Sequence, residues 1–463
     1  MIHFDRSGVL VSFSGKRSRP GPLFEAALRS LSVGGRQVAV ACAGEPRVSR
    51  SHASHGVNLA ESRRSAFCVI ERFADVKPFR MRRARLLLLF ASGWFVLCGP
   101  AGAQVVGQPL PPWTPGTLDI HQIQTGRGNA AYFIFPDGTT MLLDAGAVPG
   151  VKGLEQGPQR PDGTRSPAAW IAHYISQVSP HSPPALDYAV ITHYHEDHMG
   201  AIAEVGRRIP ISTLIDRGDQ PPPPSGSVVA GYLEFRKGRS SEIFRPGRAD
   251  QIRQLHNSGS TFEVRNVAAN GEVWTGAGTE TRSQFPAGWA SLPTADQPDE
   301  NDFSIAIRIR YGLFDYFSGG DAVGVVLDRK PSWHDLETPI ARAVGPVDVL
   351  VLNHHGWLDT TNQFFLDTLQ PRAVIIPAWH ATHPDHGVLR RLISANGKPD
   401  LFITSLLDAP RAVFSYLGPV FKSTEGHIVT RVSAGGATYV IVILDDTKPT
   451  QLVTAVHGPY SSR

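Results

Sequence analysis

Short apolar runs that end in polar side chains recur along most of this sequence. Alternating apolar and polar positions predict strands, and the first group of them lies at 118–123, 131–135 and 140–143. Asp137-Gly138 is the turn that closes a hairpin between the second and third of these strands. Helical spacing follows at 166–178, and a second helix is predicted from Met199 to Arg207. Strands interleaved with helices indicate an α/β protein in which helices cover packed sheets.

The later strands end in histidine or aspartate rather than in ordinary turn residues. They are predicted at 188–192, 304–310, 314–318, 347–352 and 373–376, with two closing strands at 412–416 and 438–444. Ligand sites of α/β proteins form beyond the carboxyl ends of strands, so we expect these polar side chains to lie close together. Residues 208–300 have a weaker pattern and are predicted to be an insertion that shapes a substrate cleft.

The first 103 residues differ in character from the rest. Met81 is followed by three arginines, by an apolar run that begins at Leu86, and by small residues at 101–103, which is the order of parts in a secretory signal peptide. The apolar run is short for a membrane anchor, which makes the alternative of an uncleaved tether less favoured. We therefore expect an exported protein, periplasmic or secreted, with no stable membrane insertion after cleavage.

These boundaries predict three parts of the chain. Residues 1–80 are either the result of a start codon assigned too far upstream or a disordered leader. Residues 81–103 are a signal peptide, and residues 104–463 form one domain. Residues 1–103 hold 16 of the 45 Lys and Arg and 6 of the 41 Asp and Glu, so the domain carries a net charge of −6. An acidic domain gives no electrostatic support for duplex DNA as a partner. Because all three cysteines also precede residue 104, the domain has neither disulfides nor thiolate ligands.

The strongest chemical signal follows the predicted strand at 188–192. His193, His195, Asp197 and His198 lie within six residues there. Neutral imidazole and carboxylate suit zinc, and also iron or manganese. Alternate residues such as His193 and His195 can face one ion, whereas Asp197 and His198 follow too closely to wrap around that same ion. We therefore expect two adjacent ions, an arrangement that can clamp both oxygens of a displacement.

Two adjacent ions need a shared ligand and further ligands from distant segments. Asp321 follows a glycine pair at 319–320 and is the best candidate for the shared ligand, since glycine lets the backbone approach closely. His354, His355 and His383 each follow a predicted strand end and are the remaining candidates.

This combination resembles the metallo-β-lactamase superfamily, whose motif is His-x-His-x-Asp-His. Residues 142–146 are similar to its Asp-x-Gly element, in which the aspartate, here Asp144, supports the ligand histidines from a second layer. Asp321 resembles the bridging aspartate of the superfamily. The resemblance covers about residues 117–390 and implies a four-layer αββα sandwich of the metallo-β-lactamase type.

Two groups within that superfamily are similar in more detail. The hydrolase domain of ComEC-type competence proteins shares the elements found here at 126–130, 301–304, 320–322 and 354–356, with Asn129 where aspartate is usual. Secreted choline-phosphate esterases share the Asn-His-His element. Both resemblances imply cleavage of a phosphodiester.

The histidines depart from the usual superfamily pattern. No good candidate for the third histidine of the first ion lies between the motif and the bridging aspartate, because His256 is expected at the surface. Either that ion has fewer protein ligands, or His354, His355 or His383 serves it. We expect His355 to bind a metal, with His354 and His383 nearby as ligand or acid.

The resulting hypothesis is a hydrolase that uses a metal-bound hydroxide on small-molecule or polymer phosphodiesters. Two zinc ions per chain are expected, with manganese or iron as alternatives. Asp197 is expected to orient the nucleophile, His354 to protonate the leaving group, and Trp357 to line the cleft. Basic residues at 236–253 either hold phosphate or form a solvated face. The rival hypotheses are a lactam or lactone hydrolase on the same site and a metal-binding module without turnover.

Overall fold

The computed structural model describes residues 104–148, 155–256, 259, 261–327 and 330–463. In the leader it describes only two short strands, β1 (Arg29–Val33) and β2 (Arg36–Val40), which pair in antiparallel fashion. The expected signal peptide lies outside the described residues. The chain divides into a unit at Met1–Gly93 and a larger unit at Trp94–Arg463, and the candidate site belongs to the larger one.

The larger unit is built from strands that follow one another in short steps. They are β3 (Leu118–Gln122), β4 (Ala131–Ile134), β5 (Thr140–Leu143), β6 (Leu186–Val190), β7 (Ile211–Asp216), β8 (Ser241–Ile243), β9 (Phe262–Ala269), β10 (Glu272–Trp274), β11 (Thr281–Ser283), β12 (Ala306–Tyr311), β13 (Phe314–Ser318), β14 (Val349–Val351), β15 (Ala373–Ile376), β16 (Asp400–Ile403), β17 (Phe421–Ser423), β18 (His427–Val432), β19 (Thr438–Leu444) and β20 (Val453–Ser461).

Helices connect these strands and cover the sheets. They are α1 (Pro167–Val178), α2 (Glu196–Met199), α3 (Ile202–Arg208), α4 (Ser227–Arg236), α5 (Glu337–Val344), α6 (Gln363–Leu369), α7 (His386–Ser394) and α8 (Asp408–Phe414). Two 3₁₀ turns, Asn301–Phe303 and Asn353–Gly356, border the candidate site. Among the helices of the described residues, none has the length and apolar character needed to cross a bilayer.

The strands form two sheets of nine. In the first sheet the order is β20-β19-β18-β3-β4-β5-β6-β7-β8, and in the second it is β11-β10-β9-β12-β13-β14-β15-β16-β17. The run from β5 to β8 is parallel, and so is the run from β13 to β17. Each sheet therefore carries a parallel half whose carboxyl ends present the loops that follow.

Three apolar cores show that the two sheets and the helices form four layers. The central core joins inward-facing residues of both sheets, for example Phe133 of β4 and Tyr316 of β13, whose rings meet edge to face at 5.8 Å. A second core packs α1 to α4 on the first sheet, and a third packs α5 to α8 on the other. Burial of apolar surface on both faces of each sheet makes this the expected αββα sandwich.

One sequence prediction is wrong, and one region is more regular than its pattern indicated. Residues 208–300, predicted to be an insertion, contribute β7 and β8 to the first sheet and β9 to β11 to one edge of the second. Their pattern was weak because β8 and β11 have only exposed side chains. The strand predicted at 412–416 is instead the end of α8 and a 3₁₀ turn. Pro410 in the first turn of α8 is compatible with a helix start, and this outweighs the apolar alternation that follows it.

Candidate metal centre

The predicted site residues converge at the rim where parallel strands of both sheets end. Asp144 follows β5, and the His193–His198 motif follows β6 and leads into α2. Asp321 follows β13 of the other sheet, and His354 and His355 follow β14. Segments far apart in sequence thus deliver their polar ends to one place, as the carboxyl ends of parallel strands are expected to do.

The loop after β5 holds the histidine motif through its backbone. Ala145 N donates to His198 O at 2.7 Å, and Asn129 N donates to Asp197 O at 2.7 Å. Gly146 is required here, because a Cβ at this position would collide with the carbonyl of Asp197. The Asp-x-Gly element therefore serves close packing as well as supplying the Asp144 carboxylate.

Asp144 accepts hydrogen bonds that fix the orientation of His198. Its carboxylate lies 2.8 Å from His198 Nδ1 and accepts from the Thr192 amide at 2.8 Å and from Asn129 Nδ2 at 3.0 Å. Asp144 itself has φ of 62°, a conformation that non-glycine residues rarely adopt. The three hydrogen bonds stabilise this strained backbone. They also keep a proton of His198 on Nδ1, which faces Asp144, so that His198 Nε2 faces the rim.

A cluster of four residues surrounds His198 Nε2. Asp197, His198, Asp321 and His355 each offer one ligand atom, and these atoms lie within 4.8 Å of one another. His198 Nε2 is 3.0 Å from Asp321 Oδ1 and 3.2 Å from His355 Nε2, and His355 Nε2 is 3.0 Å from Asp197 Oδ2. We call this group the second cluster.

A smaller first cluster lies on the other side of the same aspartate. His193, His195 and Asp321 offer atoms within 4.8 Å of one another. His193 Nε2 is 3.0 Å from His195 Nδ1 and 3.7 Å from Asp321 Oδ2. Asp321 thus turns Oδ1 toward one cluster and Oδ2 toward the other, which is the geometry of a bridging ligand. Gly320 has a φ of 56°, and a Cβ at this position would lie only 3.0 Å from Thr192, so the close approach of this segment favours glycine.

The hydrogen bonds behind the two clusters show that the residues fit metal ions. His355 Nδ1 lies 3.0 Å from Pro377 O, so it carries the proton, just as His198 Nδ1 does toward Asp144. The Nε2 atoms of His198 and His355 then face each other at 3.2 Å beside two carboxylates, an arrangement in which one bound cation would satisfy all four groups. Asp321 Oδ1 is buried without a hydrogen-bond partner, which also fits a metal ligand.

The electrostatics of Asp321 agree with this geometry. Burial alone would raise the pKa of its carboxyl, but the surrounding imidazoles, with His198 first and His355 next, hold that pKa well below its usual range. Burial lowers the pKa of His198, and the attraction of Asp321 and Asp144 more than reverses this. The carboxylate at the centre therefore remains anionic, as a ligand for a divalent cation must.

His354 borders the first cluster without belonging to it. Its Nδ1 lies 2.8 Å from Asp359 Oδ1, and its Nε2 lies 3.3 Å from Asn301 Nδ2 and 3.7 Å from Asp321 Oδ2. His354 and His355 both have positive φ, 46° and 56°, so the turn that presents them is strained. The Asp359 contact was not anticipated from sequence.

His383 lies outside both clusters among the described residues. Its ring stacks on His355 at 4.9 Å and 19°, so it presents its face rather than a nitrogen to that ligand. The expectation that His383 binds a metal is therefore not supported by the geometry. Trp357 stacks on His354 at 5.6 Å and 17° and lies 5.8 Å from His383, so it packs against the histidines of the site. His256 is half exposed, away from both clusters.

A buried ion pair that no sequence pattern predicts holds the loop of the first cluster. Glu300 Oε1 accepts from the amide of Tyr194, the residue between the two histidines, at 2.8 Å. Arg217 pairs with both oxygens of Glu300, at 2.8 and 2.7 Å, and its guanidinium lies 4.3 Å from the Tyr194 ring and 5.0 Å from the Phe303 ring. We call Arg217, Glu300 and Tyr194 the loop clamp. Arg217 and Glu300 are 83 residues apart, so no local sequence pattern indicated this ion pair.

A second support holds the strained turn of the other histidines. The buried Glu337 carboxylate accepts from Asn353 Nδ2 at 2.9 Å and from the amides of Thr361 and Asn362, each at 2.7 Å. Asn353 begins the turn that contains His354 and His355. Three hydrogen bonds to one carboxylate thus fix both ends of the segment that presents these histidines.

Comparison with known proteins agrees with the site. Residues 125–257 match the family model described as Metallo-beta-lactamase superfamily. The chain carries a metallo-β-lactamase superfamily domain. The match includes the histidine motif and Asp144, whereas Asp321 and His355 lie beyond it. None of the curated proteins matches the sequence.

Solved structures show a distant likeness to this chain. CmlA, a diiron β-hydroxylase from Streptomyces venezuelae, is 14% identical with a TM-score of 0.36, and the match covers 69% of this chain and 55% of that one. A structure titled putative metal-dependent hydrolase from Parabacteroides distasonis is 13% identical, with a TM-score of 0.32 and coverage of 62% and 93%. Human tRNase Z, short form, is 12% identical, with a TM-score of 0.27 and coverage of 56% and 91%. The chain spans just over half of the hydroxylase. Likeness at this level says nothing about its reaction.

Proposed function

We propose that this chain is a metal-dependent hydrolase that holds two divalent ions and cleaves phosphodiesters. The observation that carries the proposal is the pair of ligand clusters sharing Asp321. His193 and His195 would hold one ion, and Asp197, His198 and His355 the other. Nitrogen and carboxylate donors favour zinc, with manganese or iron as alternatives.

The residues around the clusters have distinct roles in this proposal. Divalent ions, when bound, supply Lewis acidity and lower the pKa of coordinated water toward neutrality. Asp197, which is partly exposed, orients the attacking water. His354 holds a proton at Nε2 for the leaving group, and the Asp359 carboxylate at 2.8 Å stabilises the protonated ring. Asp144 keeps His198 in the tautomer that binds through Nε2.

The phosphodiester substrate rests on the motif resemblance to ComEC-type and choline-phosphate-esterase sequences, and the basic residues at 236–253 add little to it. Arg236 pairs with Asp216 at 2.9 Å, Lys237 with Glu234 at 2.7 Å, and Arg248 with Asp250. Paired side chains on a solvated face do not form a phosphate clamp. We therefore assign recognition of the substrate phosphate to the metal ions, when these are bound, and we propose no specific binding of duplex DNA.

A lactone or lactam hydrolase on the same site is the second candidate. The observation that favours it is the same set of ion pairs, because three of the six basic residues at 236–253 already have acidic partners and add little to the recognition of an anionic substrate. Export through the segment that begins at Met81 completes the proposal, and sequencing the N-terminus of protein recovered from expressing cells would test it.

The purified protein should hydrolyse bis-p-nitrophenyl phosphate when loaded with zinc or manganese and lose this activity with a chelator. His198→Ala should abolish turnover because it removes a ligand from the second cluster. His256→Ala, a half-exposed histidine away from both clusters, is the matched control and should behave as wild type. Metal-dependent turnover of a lactone without turnover of the phosphodiester would replace the first candidate by the second.

A further inference from the structure

A cavity of about 250 Å³ lies beside the candidate metal centre. Its walls come from the segment after the His-His-Gly turn, from the start of α7, and from α8. Trp357, Leu358 and Pro384 form one side, and Ala409, Val413 and Phe414 form the other. Nothing in the proposed reaction uses this cavity.

Trp357 and Pro384 connect the cavity to the metal centre. Trp357 stacks on His354 and also lines the cavity, so one indole separates the two spaces. Pro384 follows His383, which stacks on His355, and a Cβ at Gly356 would lie 3.1 Å from Pro384. A molecule bound with its ester at the metal centre would thus meet the cavity next to the two histidines.

The lining of the cavity favours an uncharged occupant. The described residues that line it include no Lys or Arg. The Asp385 carboxylate accepts the Gly387 amide at 2.7 Å as the N-cap of α7, so this helix start is already occupied by an anion. His386 Nε2 lies 2.6 Å from the Tyr416 hydroxyl. The titratable groups at the wall are therefore engaged, and a phosphate would find an anion rather than a donor.

The open side of the cavity exposes apolar side chains to water. Val413 is 57% exposed and Leu358 is 37% exposed. Apolar surface gathered in a concave site beside polar catalytic groups is the usual character of a ligand subsite. Covering these side chains with an apolar group would release the water that contacts them and stabilise the complex.

We propose that this cavity binds an apolar, uncharged alkyl or aryl arm of the ester substrate. The inference rests on the hydrolase proposed above and narrows its substrate to esters that carry such an arm. The water oxygen bonds to phosphorus as the ester P–O bond breaks, and the departing oxygen takes a proton from His354, so the products are a phosphomonoester and an alcohol. The proton that the water loses restores the protonated His354, and the arm in the cavity takes no part in the chemistry.

The experiment compares two phosphodiesters that differ only in the arm. Hydrolysis of dimethyl phosphate and of hexyl methyl phosphate by the metal-loaded protein is followed by phosphorus NMR, which avoids an aryl leaving group. We expect kcat/KM to favour the hexyl ester by about tenfold, because the added methylenes become buried. Ala409→Trp, at an exposed position of the lining, should fill the cavity and reduce this preference to about threefold or less.

The matched control is Ala412→Trp on the same helix. Ala412 is exposed but does not line the cavity, so this variant should keep the wild-type preference. Equal rates for the two esters in the wild type, or a preference that survives Ala409→Trp, would overturn the subsite while leaving the hydrolase intact.

Calorimetry separates failure of the subsite from failure of the hydrolase. Hexyl phosphate should bind the metal-loaded protein about tenfold more tightly than methyl phosphate, and Ala409→Trp should remove the difference. This result without turnover of either diester would uphold the subsite and reject the phosphodiesterase. Equal binding of the two monoesters would reject the subsite whether or not turnover occurs.

Discussion

We compare two buried regions of the described structure that are rich in histidine and aspartate, of which one brings candidate metal ligands together. The first is the candidate metal centre. The second, which we call the first-sheet network, comprises Asp119, His121, Tyr174, His427 and Arg431. Asp119 accepts from Arg431 Nε and Nη2, at 2.9 and 2.6 Å, and His121 Nδ1 lies 2.9 Å from the Tyr174 hydroxyl. The protein itself supplies the cation that the buried carboxylate needs.

The candidate metal centre differs from this network because no Arg or Lys pairs with its carboxylates. Asp197 and Asp321 form their ion contacts only with imidazoles in the part of the chain that the structure describes. A buried carboxylate is costly unless a cation pairs with it, and here only the imidazoles themselves or a bound metal ion can supply that charge. The number of histidines and aspartates therefore does not by itself point to a metal site, whereas buried carboxylates with only imidazoles as partners do.

The largest effect is expected from removing the bridging aspartate. Asp321→Ala should lower kcat/KM on the order of 10³-fold and reduce the bound metal, because both clusters lose a ligand. Activity assays and elemental analysis of the purified variant would measure this. Asp250→Asn, at an exposed surface carboxylate, is the control and should retain both properties. Unchanged metal content in Asp321→Ala would remove the distinction between the two regions.

Two buried arginines provide a matched pair of substitutions. Arg217→Met breaks the loop clamp and Arg431→Met breaks the first-sheet network, and each leaves a carboxylate buried and unpaired. Both should lower the free energy of unfolding by about 3–5 kcal/mol, as measured by urea denaturation. Only Arg217→Met should also weaken metal binding, since only Glu300 holds the loop of His193 and His195. Equal metal affinities in the two variants would show that the clamp is merely structural.

Asp144→Asn tests whether the hydrogen bond between Asp144 and His198 is needed for tight metal binding. The amide keeps the shape of the side chain but replaces one accepting oxygen by a donor and removes the charge that orients His198. Metal affinity should fall about 10–100-fold with the fold retained. Competition with a chromophoric chelator would measure the affinity, and circular dichroism the fold. Wild-type affinity in this variant would mean that His198 needs no such support.

The first-sheet network should respond to acid rather than to metal. Burial, and then repulsion from His121, lowers the pKa of His427 to about 3, with Asp445 opposing weakly. Between pH 6.5 and about 3 the unfolded chain binds a proton that the folded chain does not, so stability falls as pH falls, by up to about 1.4 kcal/mol per unit. His427→Gln should reduce this slope in urea denaturation with chelator present. An identical slope in both proteins would contradict the prediction.

The sequence predicted most of the site because its signals are local. The motif at 193–198 contains four candidate ligands, and strand ends before Asp144, Asp321 and His355 mark one rim of a sandwich. All of these side chains meet at that rim. The sandwich itself followed from the alternation of strands and helices together with the resemblance.

What the sequence did not provide depends on contacts between distant segments. Glu300 and Arg217 stand 83 residues apart, and Asp359 supports His354 from a loop without a periodic pattern. His383 follows a strand end just as His355 does, and only packing shows that it stacks on His355 instead of pointing into either cluster. The strands between 208 and 300 were missed because several lie at sheet edges, where exposed side chains weaken the apolar alternation.

Metal content, measured by elemental analysis of the purified protein, shows whether the two clusters bind ions. About two divalent ions per chain are predicted for the wild type, reduced in Asp321→Ala and retained in Arg431→Met. Less than half an ion per chain after incubation with zinc or manganese, or the same content in the wild type and Asp321→Ala, would contradict the claim that these clusters are built for metal.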